Sequence, residues 1–296
     1  MTTINWQSIQ DSLSAKLNLQ FKFEGHREVQ GGCINRAFVV DGQRESLFIK
    51  LNARSMLTMF EAEAKALEEI AETNSVRVPA VIGCGESESL AYLALEKLDL
   101  ERGRRAEQKT LGEELAKLHL STQAKFGWQW DNAIGSTPQC NHQSNDWVQF
   151  WKTQRLGFQL DLAAKNGYSS SLQERGAELL GNLHNLFLGY RPSPSLLHGD
   201  LWSGNTAITR AGENVIFDPA SYYGDRECDL AMTELFGGFD REFYAAYASI
   251  LPHDEGYAVR KRIYNLYHIL NHLNLFGSGY LQQAESTIEG LLRELG

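Results

Sequence analysis

Apolar residues in the first hundred positions fall in short runs bounded by turn formers, whereas beyond about residue 105 they recur at three- and four-residue spacing. The N-terminal stretch MTTINWQSIQDSLSAKL reads as an amphipathic helix. Strands are predicted over 21–29, 37–40 and 46–51; Gly31-Gly32 breaks the first, and Asp41-Gly42 marks a hairpin turn between the other two. A helix follows over 53–71, with Met56, Met59/Phe60, Ala64 and Leu67 on one stripe. Pro79, Gly83 and Gly85 punctuate a further strand, and LAYLALEKL at 90–98 is another. Helices are predicted over 108–121, where Leu111, Leu115 and Leu118 align, and over 147–164 and 172–188, the last stopped by Pro192 and Pro194. Short strands at 196–198, 206–209 and 215–217 follow, the last two joined at Gly212, and 241–295 is again helical. The pattern predicts an α+β chain in two lobes: a small β-rich lobe over 1–100 and a larger, mainly helical lobe over 101–296.

A chain of 296 residues can bury a core in one large domain or two modest ones, and 43% apolar with 22% charged residues is an ordinary globular balance. The net charge of −9 argues against a general nucleic-acid binder, which needs a basic surface to displace phosphate counterions. It is compatible with ATP, because a few local donors outweigh a distant surface field. Cys33, Cys84, Cys140 and Cys228 form no C-x-x-C pair, so neither a disulfide framework nor a zinc site is expected. The N-terminus lacks the basic head and apolar core of a secretory signal, and no apolar run is long enough to span a bilayer. The expectation is a cytoplasmic protein, monomeric or weakly dimeric, with neither nucleic acid nor membrane as partner.

The segment LHGDLWSGNTAITRAGENVIFDPASYYGDRECD at 197–229 carries the chemistry. Phosphoryl transfer needs a group to orient the attacking hydroxyl and ligands for a metal that bridges phosphates. Asp200 suits the first role. Asn205, five residues on, and Asp218, following an apolar strand, suit the second, provided that the intervening hairpin folds Asp218 back beside Asn205. Alone, Asp200 and Asn205 would read as turn residues; their joint spacing points to a kinase. Lys50, expected to end the apolar strand LFIKL, is a candidate phosphate lysine, with Glu61 or Glu63 on the next helix as its partner and Glu63 preferred. Gly31-Gly32 is a candidate phosphate turn, with neither G-x-G-x-x-G nor Walker A spacing. Glu96, Lys97 and Leu98 stand where a hinge would meet adenine. His198 and Asp229 are expected to brace the loop around Asp200. His268 and His272 read as packed helix residues rather than a zinc pair, and most of Trp128, Trp130, Trp147 and Trp151 as core.

Together, GGCINRAF, FIKLN, MFEAEAKAL, NAIGSTPQCN, LLHGDLWSGN, FDPASYYGDRECDLAM and IYNLYHILNHLNLFG resemble the fructosamine (ketosamine) kinase family, within the wider aminoglycoside phosphotransferase and choline kinase group. The resemblance spans almost the whole chain, and NAIGSTPQCN with DPASYYGDRECDLAM narrows it to the family. It implies a bilobal protein-kinase-like fold and ATP- and Mg2+-dependent phosphorylation of the 3-hydroxyl of a ketosamine, free or on a glycated protein lysine, in deglycation. By the same resemblance Lys50 matches the phosphate lysine and Glu63 its partner, Asp200 the base, Asn205 and Asp218 the metal ligands, Trp202 a sugar contact, and Gly32 and Cys33 the nucleotide loop. Kinases of the same fold that act on aminoglycosides, choline or thiosugars remain the alternative.

Overall fold

The structure is a computed structural model that describes residues 4–18, 20–29, 34–43, 45–88, 90–101, 106–168 and 170–295. They form two compact units, Met1–Ala106 with Thr206–Pro219, and Glu107–Asn205 with Ala220–Gly296.

The first unit contains helix α1 (Trp6–Leu17), strands β1 (Phe23–Val29), β2 (Arg36–Gly42) and β3 (Ser46–Ala53), helix α2 (Leu57–Glu72), and strands β4 (Val81–Ser87) and β5 (Leu90–Glu96). The strands make one antiparallel sheet in the order β1-β2-β3-β5-β4. Strand β2 runs on through Asp41-Gly42, so the turn falls just beyond the expected dipeptide, with Asp41 opposite Ser46. Successive side chains of a strand point to opposite faces. Leu47, Ile49 and Leu51 join Phe38, Val40, Tyr92 and Ala94 in a core closed by Ile9 and Leu13 of α1. Full burial of each of those two helix residues is worth roughly 1.5–3 kcal/mol. Phe48 and Lys50 therefore face the other way, toward α2, which buries Phe60, Ala64, Leu67 and Ile70. Lys50 lies inside β3 rather than at its end, because pairing with β5 continues to Ala53.

A distant hairpin, Thr206–Ile208 with Asn214–Ile216, belongs to this first unit. Gly212 turns it at φ +86, a conformation that costs glycine little. Backbone bonds stitch it on: Glu101 N to Ile208 O (2.9 Å), Arg210 N to Asp99 O (2.8 Å) and Ile216 N to Arg77 O (3.0 Å). The Arg77 guanidinium also bridges Glu96 at 2.6 Å and Glu213 at 3.3 Å.

The second unit is built on α3 (Gln108–His119), α4 (Trp147–Phe150), α5 (Phe158–Lys165), α6 (Ser170–Asn182), α7 (Glu227–Leu235), α8 (Arg241–Ile250), α9 (Tyr257–Phe276) and α10 (Leu281–Glu294). The helix expected over 147–164 is interrupted by a wide π turn, Trp151–Gly157. Its Arg155 is wholly buried, donating to Cys140 O (2.6 Å) and Asn141 Oδ1 (2.7 Å) and stacking over Tyr222. Trp128, Trp147 and Trp151 are core; Trp130 is 38% exposed. Helix α7 and the small hairpin Asn132–Ile134/Thr137–Gln139 have no counterpart in the expectations from sequence. The reason for α7 is plain: Glu227, Asp229 and Thr233 are buried together with its apolar residues, so no apolar stripe marks it. His268 is packed inside α9, and burial pushes its imidazole down to about 3. Among the described residues no helix is long and apolar enough to cross a membrane.

Candidate active site

In the first unit the ammonium of Lys50 sits between two carboxylates, Glu63 Oε1 and Asp218 Oδ1, each at 2.5 Å. Strand alternation aims Lys50 at α2, and the α2 register presents Glu63 rather than Glu61. Asp218 arrives from the hairpin strand Asn214–Ile216, an approach that nothing near Lys50 in the sequence announces. The Lys50 and Glu63 side chains are only 8% and 11% exposed, but that of Asp218 is 45% exposed. Burial works against the Lys50 charge, yet the Glu63 and Asp218 carboxylates outweigh it and hold the ammonium protonated, above its ordinary range. Burial lifts the Glu63 carboxyl above its usual range; the Lys50 ammonium opposes, and the Asp218 charge adds to the lift. Asp218 has φ +57, the left-handed region, which Asp tolerates better than most residues and which is common where a side chain is aimed for function.

In the second unit the loop from His198 to Asn205 is pinned from several sides. Asp229 Oδ2 accepts from His198 N (2.7 Å) and Asp229 Oδ1 from Gly199 N (2.8 Å), and His119 Nε2 lies 3.1 Å from Oδ2. Burial alone would raise Asp229; the bonds and charges of His119, His198 and Gly199 hold its carboxyl below the usual range instead. The buried His198 accepts at Nδ1 from Asp200 N (3.2 Å). Asn205 Nδ2 donates to Asp200 O (2.9 Å) and more weakly to Asp200 Oδ2 (3.4 Å), which turns the amide oxygen of Asn205 away from Asp200. Gly199 has φ +84, and a Cβ there would lie 2.1 Å from Ala220 O, so only glycine fits. Trp202 folds its ring over Gly204 and stays 39% exposed.

The two segments that narrowed the resemblance bind each other. Gln139 Nε2 donates to Ala220 O (3.0 Å) and to Asn132 Oδ1 (2.8 Å), and Asn132 Nδ2 donates to Ser221 O (2.8 Å). Asn141 joins this amide network to Arg155. Residue-type reasoning misses it because each amide alone looks like a loop residue.

Near the expected hinge, Glu96 is already committed: its carboxylate takes Arg77 Nη2 (2.6 Å) and Ala80 N (3.2 Å), and its own N–H goes to Ala80 O (2.8 Å). Lys97 Nζ lies 3.7 Å from Asp99. Gly31, Gly32 and Cys33, expected in the nucleotide loop, lie outside the described residues. Cys84, Cys140 and Cys228 are free thiols. Among the described residues no three His, Cys, Asp or Glu gather as a metal cage.

The model of the fructosamine kinase family matches residues 5–294. A probable ketoamine kinase of Synechocystis sp. is 47% identical over 290 residues, 97% of either chain. The chloroplastic protein-ribulosamine 3-kinase of Arabidopsis thaliana is 44% identical over 270 residues, 90% of this chain and 82% of that one. A crystal structure from Haemophilus somnus, named for fructosamine-3-kinase, matches with a TM-score of 0.88 at 30% identity over 97% of both chains. The choline kinase LicA of Streptococcus pneumoniae matches 97% of this chain and 98% of its own at TM-score 0.63 and 15% identity, a likeness that shows the kinase-like fold alone. On the family match and these identities, the chain belongs to the fructosamine kinase family.

Proposed function

We propose that this protein is an ATP-dependent kinase that phosphorylates a sugar hydroxyl, the 3-hydroxyl, of ketosamines such as ribulosamine, erythrulosamine or fructosamine, in the deglycation of amines. The observation that carries it, beside family membership, is the buried Lys50 ammonium held at 2.5 Å by both Glu63 and Asp218. A buried charge is costly unless paired, and a purely structural role would be served as well by apolar residues. A fixed cation beside a half-exposed carboxylate suits a phosphate chain and its counter-ion.

Lys50 offsets charge on the nucleotide phosphates. Asp200 orients the acceptor hydroxyl and takes its proton late, and the Asp229 and His198 bonds keep its loop from drifting. The transition state is loose, so fixed positions and fixed charges account for most of the acceleration. Asp218 offers a carboxylate and Asn205 an amide oxygen, hard donors of the kind Mg2+ takes, and Mg2+ commonly uses one or two such ligands and completes its shell with phosphate and water. When bound, the ion would neutralise phosphate charge. Trp202 is assigned to the sugar, and the backbone of Lys97 and Leu98 to adenine.

The test is a phosphotransfer screen over ribulosamines, erythrulosamines and fructosamines alongside aminoglycosides, choline and thiosugars, read by mass spectrometry. Phosphate on one of the latter and on no ketosamine would refute the assignment. Asp200→Asn should keep ATP affinity and cut turnover by roughly a hundredfold or more.

A further inference from the structure

Residue 77 holds the strand that leads into Asp218 at both of its ends. The Arg77 carbonyl accepts Ile216 N at 3.0 Å, and the guanidinium reaches Glu213 Oε2 at 3.3 Å. Those two contacts bracket Asn214–Ile216. The other arm of the fork goes to the sheet: Arg77 Nη2 lies 2.6 Å from Glu96 Oε1, and Glu96 is the last residue of β5. Glu96 is itself fixed, because its carboxylate also takes Ala80 N and its own N–H goes to Ala80 O. Strand β5 pairs directly with β3, with Leu93 opposite Lys50 and Glu96 opposite Leu47. One planar side chain thus joins the strand that delivers Asp218 to the strand that flanks Lys50.

Two further observations mark this as a part placed for geometry. Arg77 keeps its fork although Nε is buried with no partner, a cost that needs a reason. Asp218 has a left-handed backbone, which a non-glycine residue holds only where its surroundings over-determine it. A hairpin of three residue pairs is too small to supply that constraint by itself.

We infer that Arg77 is a positioning residue for Asp218: its guanidinium fixes the hairpin against β5 and so sets the Asp218 carboxylate in place beside Lys50, ready for a metal–nucleotide pair. This deepens the kinase function proposed above and rests on it. Both arms of the Arg77 fork go to carboxylates, so its effect reaches the site through the backbone that ends in Asp218. A lysine would be a poor substitute, because a single ammonium lacks the rigid fork that spans two carboxylates.

The experiment measures AMP-PNP binding by calorimetry with and without Mg2+ in wild type, Arg77→Met, Arg77→Lys and Arg210→Met. The readout is the factor by which Mg2+ tightens binding, and no turnover enters it. Loss of the support behind a metal ligand typically costs ten- to a hundredfold, so Arg77→Met should forfeit roughly tenfold or more of that factor while metal-free affinity holds. Arg77→Lys should fall between Arg77→Met and wild type. Arg210 sits on the same hairpin, 73% exposed and 3.6 Å from Asp99, and Arg210→Met should bind as wild type. In turnover, Arg77→Met should raise KM for Mg2+–ATP and leave KM for the ketosamine unchanged. A role confined to stability would lower melting in Arg77→Met without moving the Mg2+ factor. An unchanged factor in folded Arg77→Met, an equal loss in Arg210→Met, or a wild type that gains nothing from Mg2+ would overturn the inference while leaving phosphotransfer itself standing. Should Arg77→Met fail to fold, Arg77→Lys decides, and a full wild-type factor there overturns the inference. A wild type that binds no AMP-PNP in either condition would overturn the kinase function, and this inference with it.

Discussion

Replacing Asp229 removes the carboxylate that holds the Asp200 loop. Its two oxygens take the N–H groups of His198 and Gly199 at 2.7 and 2.8 Å and stand 3.1 Å from His119 Nε2, with the residue 1% exposed. In Asp229→Ala both N–H groups are left buried without an acceptor, at about 1–3 kcal/mol each. Loss of one partner from a buried charged cluster costs roughly 3–5 kcal/mol, and the two figures agree. At about 2–4 °C per kcal/mol for a unit of this size, melting should fall by roughly 6–20 °C. Asp229→Asn retains one acceptor but turns an N–H toward a donor, so its loss should be about half as large. Both variants should lose turnover more than ATP affinity, since the loop carries Asp200. The pH dependence has a definite sign. The folded carboxyl sits below its unfolded value of about 3.9, so its stabilisation is present above that pH and lost as pH falls through the folded value. Asp229→Asn should therefore flatten the acid limb of the stability curve below about pH 4. Calorimetry from pH 3 to 8 together with steady-state kinetics reads all of this. A melting point for Asp229→Ala within a degree or two of wild type, with normal turnover, would refute the bracing role.

Lys50→Met leaves the buried Glu63 carboxylate without its cation and should cost roughly 3–5 kcal/mol of stability, and in the protein that calorimetry shows still folded, phosphotransfer should fall by roughly a hundredfold or more; normal turnover would remove Lys50 from the chemistry. Gly199→Ala sets a Cβ against Ala220 O and forces a left-handed alanine, so it should cost about 3 kcal/mol or more and abolish turnover, as chemical denaturation and an ADP-release assay would read. His268 is buried neutral at about 3 against an ordinary value near 6.5, so the unfolded chain takes the proton first and stability falls as pH drops through that window. From pH 7 to 5 the difference between wild type and His268→Gln should shift by about 2 kcal/mol against the wild type. Asp225 acts in the opposite sense: burial and the Glu227 charge push it up to about 7, so the folded state gains its proton, and stability, over the same interval. The variant comparison isolates the histidine because Asp225 is common to both proteins.

What local chain geometry controls is legible in the amino-acid sequence alone. Alternating and three-to-four-residue spacing marks most strands and helices, and the five residues from Asp200 to Asn205 are few enough that the chain itself brings the Asn205 amide back to Asp200. The thirteen residues from Lys50 to Glu63 cross one strand end and one helix start, which is why that partner is readable. Tertiary packing decides the rest. Asp218 meets Lys50 from 168 residues away because a hairpin beyond the helices joins the first unit, an outcome of backbone bonds to Arg77, Asp99 and Glu101 that no periodicity encodes. Helix α7 leaves no apolar stripe because its polar residues are buried, and the π turn is hidden because the Arg155 it buries reads in the sequence as a surface residue. The neighbouring rings of Trp202, Phe236, His272, Phe276 and Tyr280 come from α9, the approach to α10 and two loops, so the sequence holds the members but only folding sets them side by side. Sequence spacing specifies what neighbours along the chain can reach; contacts between distant segments depend on which surfaces exclude water together, and that is settled only when the whole chain packs.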